Sequence, residues 1–293
     1  MPYPEVGVFA VDKPQSFTSF DVVAKLRGLL GIRRIGHGGT LDPLATGVLP
    51  IFIGKATKAV DRLEDNSKRY TATAVFGRQT DTGDITGETI ERSNGLPEKS
   101  QLQEVIESFV GPYEQIPPMY SALKVNGRPL YDIARAGGMI EREPRSIEIL
   151  SMKLLVYDTK QQEFTIDVCC SKGTYIRTLV EDIAKGCLAV ATLSRLRRTK
   201  SGPFTEGDCL SLDEIEVCLK SGDRSFIQPV DRLFTALERV TLTEQQYMRF
   251  MNGASITVDT VEQTAQVGVY YQNSMIAVAC NACGKLKTVA RFV

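Results

Sequence analysis

The residues best able to do chemistry lie in one run, Gly36-His37-Gly38-Gly39-Thr40-Leu41-Asp42-Pro43-Leu44-Ala45-Thr46-Gly47. Three glycines in its first four positions let the backbone approach a ligand or take positive φ. Pro43 biases Asp42 toward an extended conformation. Apolar Leu41 and Leu44 flank it, so the run can present one carboxylate in surroundings of low polarity. Asp-Pro is equally a common turn dipeptide, and local chemistry leaves both readings open. His37 is the only histidine among 293 residues. That removes most histidine-dependent metal sites and leaves one imidazole base. Cys280 and Cys283 form a lone CxxC, which cannot complete a zinc site without further ligands. Seven scattered cysteines, an odd number, argue against a disulfide framework. Asp81 and Asp84 could supply the two carboxylates of a glycoside hydrolase, but no signature places them about a scissile bond.

These residues need a scaffold, and the periodicities supply an outline of one. Gly7 to Val11 reads as a short strand. Ser19 reads as the N-cap of a helix with Val22, Val23, Leu26 and Leu30 on one face and Gly31 at its end. Tyr70, Ala72, Ala74 and Phe76 alternate as the inner face of a strand, and so do Phe164, Ile166, Val168 and Cys170. Ser100 with Gln103 reads as a capping box opening a second helix, which Gly111 stops. A further helix follows Gly173 and carries Ile176, Leu179, Val180 and Ile183. Arg177 falls near its start, where the macrodipole disfavours a cation. The position calls for a nearby anion, or Arg177 is a plain surface arginine. Strands and helices mix without a βαβ rhythm, so the fold class is α+β with a mixed, largely antiparallel sheet flanked by helices. Beyond about Leu237, a helix over Thr243 to Met251 and a hairpin of Val267 to Tyr271 with Met275 to Ala279 make a small β-rich appendage. So small a unit is expected to pack on the main domain.

Composition restricts the options further. The formal net charge is zero and the pI about 6.6, so bulk charge does not point to nucleic acid. The cations do gather locally, at Arg33-Arg34, Lys55-Lys58, Lys68-Arg69, Arg142-Arg145 and Arg195 to Lys200. No apolar run approaches the roughly 20 residues that cross a bilayer. The first eleven residues have no basic leader, so the expected compartment is cytoplasmic.

The run Gly36 to Pro50, GHGGTLDPLATGVLP, closely resembles the active-site motif of bacterial TruB-type tRNA pseudouridine synthases. Other segments agree in the same order. Asp12-Lys13-Pro14 resembles the family's DKP motif, and Lys68-Arg69-Tyr70 its KRY motif. Thr80-Asp81-Thr82 resembles the start of a family loop. Ile116 to Lys124 resembles the start of the RNA-gripping insertion, Ser171 to Thr178 the arginine motif, and Leu196-Arg197-Arg198 also fits. The resemblance covers roughly residues 7 to 235. The tail resembles a PUA domain only loosely.

The resemblance implies a pseudouridine synthase catalytic domain over residues 1–236, with a T-arm-gripping insertion near 120–147, and a PUA-like domain over 237–293. The implied reaction isomerises uridine 55 in the T loop of tRNA and needs no cofactor or metal. By the resemblance, Asp42 is the catalytic carboxylate and Tyr70 stacks on the flipped uracil. Tyr175 lines the same pocket, and Arg177 pairs with Asp42. His37 enters the T loop, Lys13 supports the site from a strand end, and Leu196 contacts the substrate. Arg128, Arg135, Arg142 and Arg145 are expected at phosphates. The implied partner is the T stem-loop of tRNA, with no membrane, no obligate protein partner and a monomeric state. Two further readings stay open: a guide-RNA-dependent synthase, opposed by the insertion and the lack of a Lys-rich tail, and a tRNA-folding helper without catalysis.

Overall fold

The computed structural model describes residues 6–125, 127–257, 266–282 and 284–293. The chain divides into two compact units. One holds residues 1–43, 47–65 and 201–293; the other holds residues 44–46 and 66–200.

In the first unit, strand Gly7–Lys13 runs antiparallel to Thr46–Ile53 with Lys13 opposite Gly47, and parallel to Cys209–Leu210. Strand Ile35–His37 pairs with the other edge of this ladder, His37 opposite Ile51. Helix Ser19–Leu30 buries Val22, Val23, Leu26 and Leu30 against Phe9, Val11, Leu49 and Ile51. Gly31 ends it in the left-handed region at φ 67°, donating its N–H to Arg27. One expectation fails here. The N-cap is Thr18, which forms a capping box with Asp21, and Ser19 is the first helical residue. A β-branched hydroxyl one position earlier serves the same orphan amide.

The C-terminal part is β-rich, as the sequence suggests. Glu238–Thr241, Gln266–Tyr271, Ser274–Ala282, Lys285–Arg291 and Ile256–Thr257 form a sheet in that order. Helix Glu244–Met251 is capped by Thr243 with Gln246. The appendage is not isolated: Tyr270, Met275, Val278, Ala290 and Phe292 share a hydrophobic cluster with Val8, Val48 and Phe52. Cys283 lies outside the described residues, so only Cys280 of the CxxC is placed, half-buried in its strand.

In the second unit the strands run Ala191–Ser201, Lys68–Phe76, Glu163–Cys170, Arg145–Asp158, Gly111–Gln115. Lys68–Phe76 and Glu163–Cys170 are central and antiparallel, with Tyr70 opposite Val168. Helices Lys99–Ser108 and Ile176–Gly186 belong to this unit. Ser100 does not cap the first; Glu98 takes the N-cap position without a side-chain bond, and Ser100 lies within the helix. The long strand Arg145–Asp158 has no counterpart in the sequence reading. Two register shifts against Glu163–Cys170 break its alternation, which hides the period-two signal.

Cys170 ends an inner strand and is fully buried; burial pushes its thiol up to about 11. A thiol so shifted carries almost no thiolate at neutral pH. Under iodoacetamide, Cys170 is therefore expected to label only after unfolding in urea, whereas half-buried Cys169 labels in the native protein. Equal native labelling of both, read by peptide mass spectrometry, would contradict this placement.

Candidate active site

The seven candidate residues divide between the units. Lys13, His37 and Asp42 stand on the first; Tyr70, Tyr175, Arg177 and Leu196 stand on the second.

On the first unit, Asp42 is half-buried in an irregular stretch between strands Ile35–His37 and Thr46–Ile53. Its backbone is held from both sides. Leu41 donates its N–H to Ser19 Oγ at 2.8 Å, and Ser19 Oγ donates to the Leu41 carbonyl at 3.2 Å. Ser16 donates its N–H to the Pro43 carbonyl at 2.8 Å. Lys13 ends strand Gly7–Lys13 and is fully buried, with Nζ donating to the carbonyls of Pro14 at 2.8 Å and Phe17 at 2.6 Å. A buried ammonium needs such acceptors. Here they fasten the turn that carries Ser16, which itself takes φ 69°.

The glycines of the run have separate reasons. Gly39 and Gly47 take φ 105° and 99°, in the left-handed region. Gly38 is needed for space: a Cβ there would lie 2.9 Å from Phe52 Cε2 and 3.2 Å from Pro50 Cβ. Phe52 is fully buried and cannot yield cheaply. Gly38→Ala is expected to destabilise the fold by about 1–3 kcal/mol, the usual cost of overpacking, read from urea unfolding. An unchanged midpoint would show that the loop relaxes freely. His37, half-buried on its edge strand, adjoins this contact.

On the second unit, Tyr70 is 6% exposed on the strand that lies between Glu163–Cys170 and Ala191–Ser201. Thr199 Oγ1 donates to the carbonyl of neighbouring Arg69 at 3.2 Å, and Arg69 grips Asp167 in a bidentate pair at 2.7–2.8 Å. That pair raises the guanidinium's affinity for its proton. Leu196 is buried on strand Ala191–Ser201.

Tyr175 occupies the N-cap position of helix Ile176–Gly186. Its backbone is clasped by Gln115, whose Oε1 accepts the Tyr175 N–H at 2.8 Å and whose Nε2 donates to the Tyr175 carbonyl at 3.0 Å. Arg177, the second residue of the helix, is 5% exposed and is no surface arginine. It donates from Nη1 to the Thr82 carbonyl at 2.6 Å and from Nη2 to the Tyr120 carbonyl at 2.7 Å. The Tyr120 hydroxyl donates to Asp81 at 3.2 Å, so the 80–84 loop, the insertion root and the arginine form one polar circuit. The loop is fixed in turn by Leu193, through Ile85 N–H to its carbonyl at 2.9 Å and its N–H to Gly83 at 3.1 Å.

A cleft of about 640 Å³ opens here, lined by Thr82, Met119, Tyr120, Arg142, Arg177 and Glu181 among others. Burial raises the Glu181 carboxyl above its ordinary value, with Lys185 opposing. Burial and the bond to Asp182 likewise raise the Tyr113 phenol. Of the four arginines expected at phosphates, Arg128, Arg135 and Arg145 are exposed, while Arg142 donates to the Pro117 carbonyl at 3.2 Å.

Gln115 and the bond from Ser19 to Leu41 escaped the sequence reading, which took Ser19 for a helix cap. A buried glutamine closing a strand and a helix-start serine carry no local signal of the partners they meet 60 and 22 residues away.

The geometry can be set beside known proteins. The model of the TruB family pseudouridylate synthase N-terminal domain matches residues 27–176, and that of the tRNA pseudouridylate synthase B C-terminal domain matches residues 177–235. The chain is 42% identical to the tRNA pseudouridine synthase B of Lactiplantibacillus plantarum over 282 residues, 92% of each chain. It is 40% identical to that of Streptococcus sanguinis over 277 residues, 93% of this chain and 94% of the other. Among solved structures, a Cbf5-Nop10-Gar1 complex contains a chain that superposes with TM-score 0.74 over 99% of this chain and 85% of the other, at 24% identity, a likeness of fold. Family models that span residues 27 to 235 without a break, and full-length relatives at about two-fifths identity, make this chain a member of the TruB family of pseudouridylate synthases.

Proposed function

We propose that the chain converts uridine 55 in the T loop of tRNA to pseudouridine, acting on tRNA without a guide RNA. The observation that carries this reading is Asp42, a single carboxylate in the Gly36 to Pro50 run whose flanking backbone is bonded on both sides. The reaction breaks the N1–C1′ bond, turns the uracil and joins C5 to C1′. The C5 proton leaves and N1 gains one, so the formula is unchanged and no electrons are exchanged.

A stacked base is out of reach, so the nucleotide is flipped out first. Asp42 then acts as nucleophile or base on the nucleoside. Tyr70 stacks on the uracil and its phenol assists loss of the C5 proton late in the reaction. Arg177 is the cation that pairs with the catalytic carboxylate. Tyr175 and Leu196 line the base pocket, His37 enters the T loop, and Lys13 supports the aspartate loop. The exposed Arg128, Arg135 and Arg145 meet phosphates, which lets a chain of zero net charge hold RNA through its shape and splayed bases.

No helix among the described residues is long and apolar enough to cross a membrane. In our reading the enzyme works in the cytoplasm as a monomer without an obligate protein partner. Its catalytic domain covers residues 1–236, with the insertion near 120–147, and the remainder is a PUA-like RNA-binding domain. The test is to incubate purified protein with an unmodified tRNA transcript and map pseudouridine by carbodiimide-blocked primer extension. A single stop reporting position 55 supports the reading. No stop without added RNA partners contradicts it and points to guide dependence.

A further inference from the structure

We propose that Ser19 is a positioning residue for Asp42: its hydroxyl, bonded to both backbone groups of Leu41, sets where the catalytic carboxylate stands. This rests on the reading of Asp42 as the reacting group. Asp42 belongs to no ladder, and loop backbone is by default the mobile part of a fold. A catalytic group has to be held within about 0.5 Å of its productive place. The N–H and C=O just before Asp42 have one shared partner, Ser19 Oγ, at 2.8 and 3.2 Å. The carbonyl just after it, on Pro43, accepts from Ser16. Both donors come from one seven-residue stretch, and that stretch is rigid for independent reasons.

Ser19 is 1% exposed on the first turn of a helix whose inner face is packed in the core. The helix start is locked by the Thr18–Asp21 capping box. The turn before it is tied by Lys13 Nζ through Pro14 and Phe17. Residues 13 to 19 thus make a bracket with Asp42 at its open end. Without the Ser19 hydroxyl, the Leu41 N–H loses its acceptor in a place water does not reach, and the loop is expected to shift to recover one.

The experiment compares three proteins with wild type: Ser19→Ala, Ser19→Cys and Val23→Ala. Cysteine keeps the shape, with a somewhat larger atom in place of the oxygen, but bonds weakly. Val23, 2% exposed on the same helix, packs in the core and makes no contact with the aspartate loop through a polar group, so its truncation loosens the helix without unpinning Leu41. Single-turnover rates are measured with enzyme in saturating excess over tRNA labelled with tritium at uracil C5. Affinity for tRNA, thermal stability and hydrogen exchange at the Leu41 amide are measured alongside.

The expected result is that Ser19→Ala and Ser19→Cys lose on the order of 10- to 100-fold in rate, as a displaced catalytic group does. Their tRNA affinity stays at the wild-type value and their Leu41 amide exchanges faster. Val23→Ala loses stability but keeps the wild-type rate. A wild-type rate in either folded serine variant overturns the proposal. So does a Val23→Ala protein slowed as much as Ser19→Ala, since a loosened helix would then explain both. Should Ser19→Ala not fold, the cysteine variant decides alone. Absence of tritium release by wild type is a separate failure, that of the reading of Asp42 itself.

Discussion

Asp42→Asn is expected to lower the single-turnover rate by about 10⁴-fold or more, the scale on which removal of a reacting group acts. The amide is the same size as the carboxylate, so the bonds from Ser16 and Ser19, which are made to backbone, stay in place. Asparagine is neither a base nor a useful nucleophile, and no second carboxylate stands in the Gly36 to Pro50 run to replace it. The loss therefore falls on chemistry. Affinity for tRNA, measured by filter binding, is expected to match wild type, because the arginines proposed to meet phosphates are other residues. The same variant separates catalysis from any action on tRNA folding: if it still rescues a misfolded transcript, opening the T arm is a second activity of the chain. Near-normal turnover of Asp42→Asn would remove the catalytic assignment altogether.

Changes at Tyr70 are expected to have the next largest effects, and two variants divide its roles. Tyr70→Leu loses both the stacking face and the phenol. Stacking is worth roughly 1–3 kcal/mol and a positioned proton acceptor about 10²–10⁴ in rate, so the leucine variant is nearly inactive. Tyr70→Phe keeps the ring. It is expected to bind tRNA like wild type and to release tritium from C5 at least about 100-fold more slowly. Packing cannot explain such a result, since phenylalanine fills the same strand position between Glu163–Cys170 and Ala191–Ser201. A phenylalanine variant with full rate would leave Tyr70 a stacking platform only.

The sequence showed its elements where side chains alternate cleanly. The inner faces of Lys68–Phe76 and Glu163–Cys170, the first helix and the C-terminal hairpin all follow from period alone. It was silent where bulges break the period, as in Arg145–Asp158, and it misplaced a cap where two hydroxyls adjoin, reading Ser19 in place of Thr18. Asp42 stood out as a candidate because glycine and proline mark its turn, and the resemblance gave it its proposed role. Of the residues that hold its loop, the resemblance pointed to Lys13 alone. Ser16 and Ser19 bond to backbone carbonyls and an amide, which almost any residue type can supply at the far end. Arg177 shows the same gap. Its place on the helix suggested an anion, and the described bonds run to the carbonyls of Thr82 and Tyr120. A carbonyl leaves no trace in a side-chain pattern.

We propose that this chain alone rearranges one uridine of tRNA through Asp42. Tritium release from a bare transcript labelled at uracil C5 tests it most directly. Release approaching one equivalent per tRNA is expected with wild type, none when position 55 is changed to cytidine, and none with Asp42→Asn. No release from the bare transcript, or free uracil among the products, would contradict it.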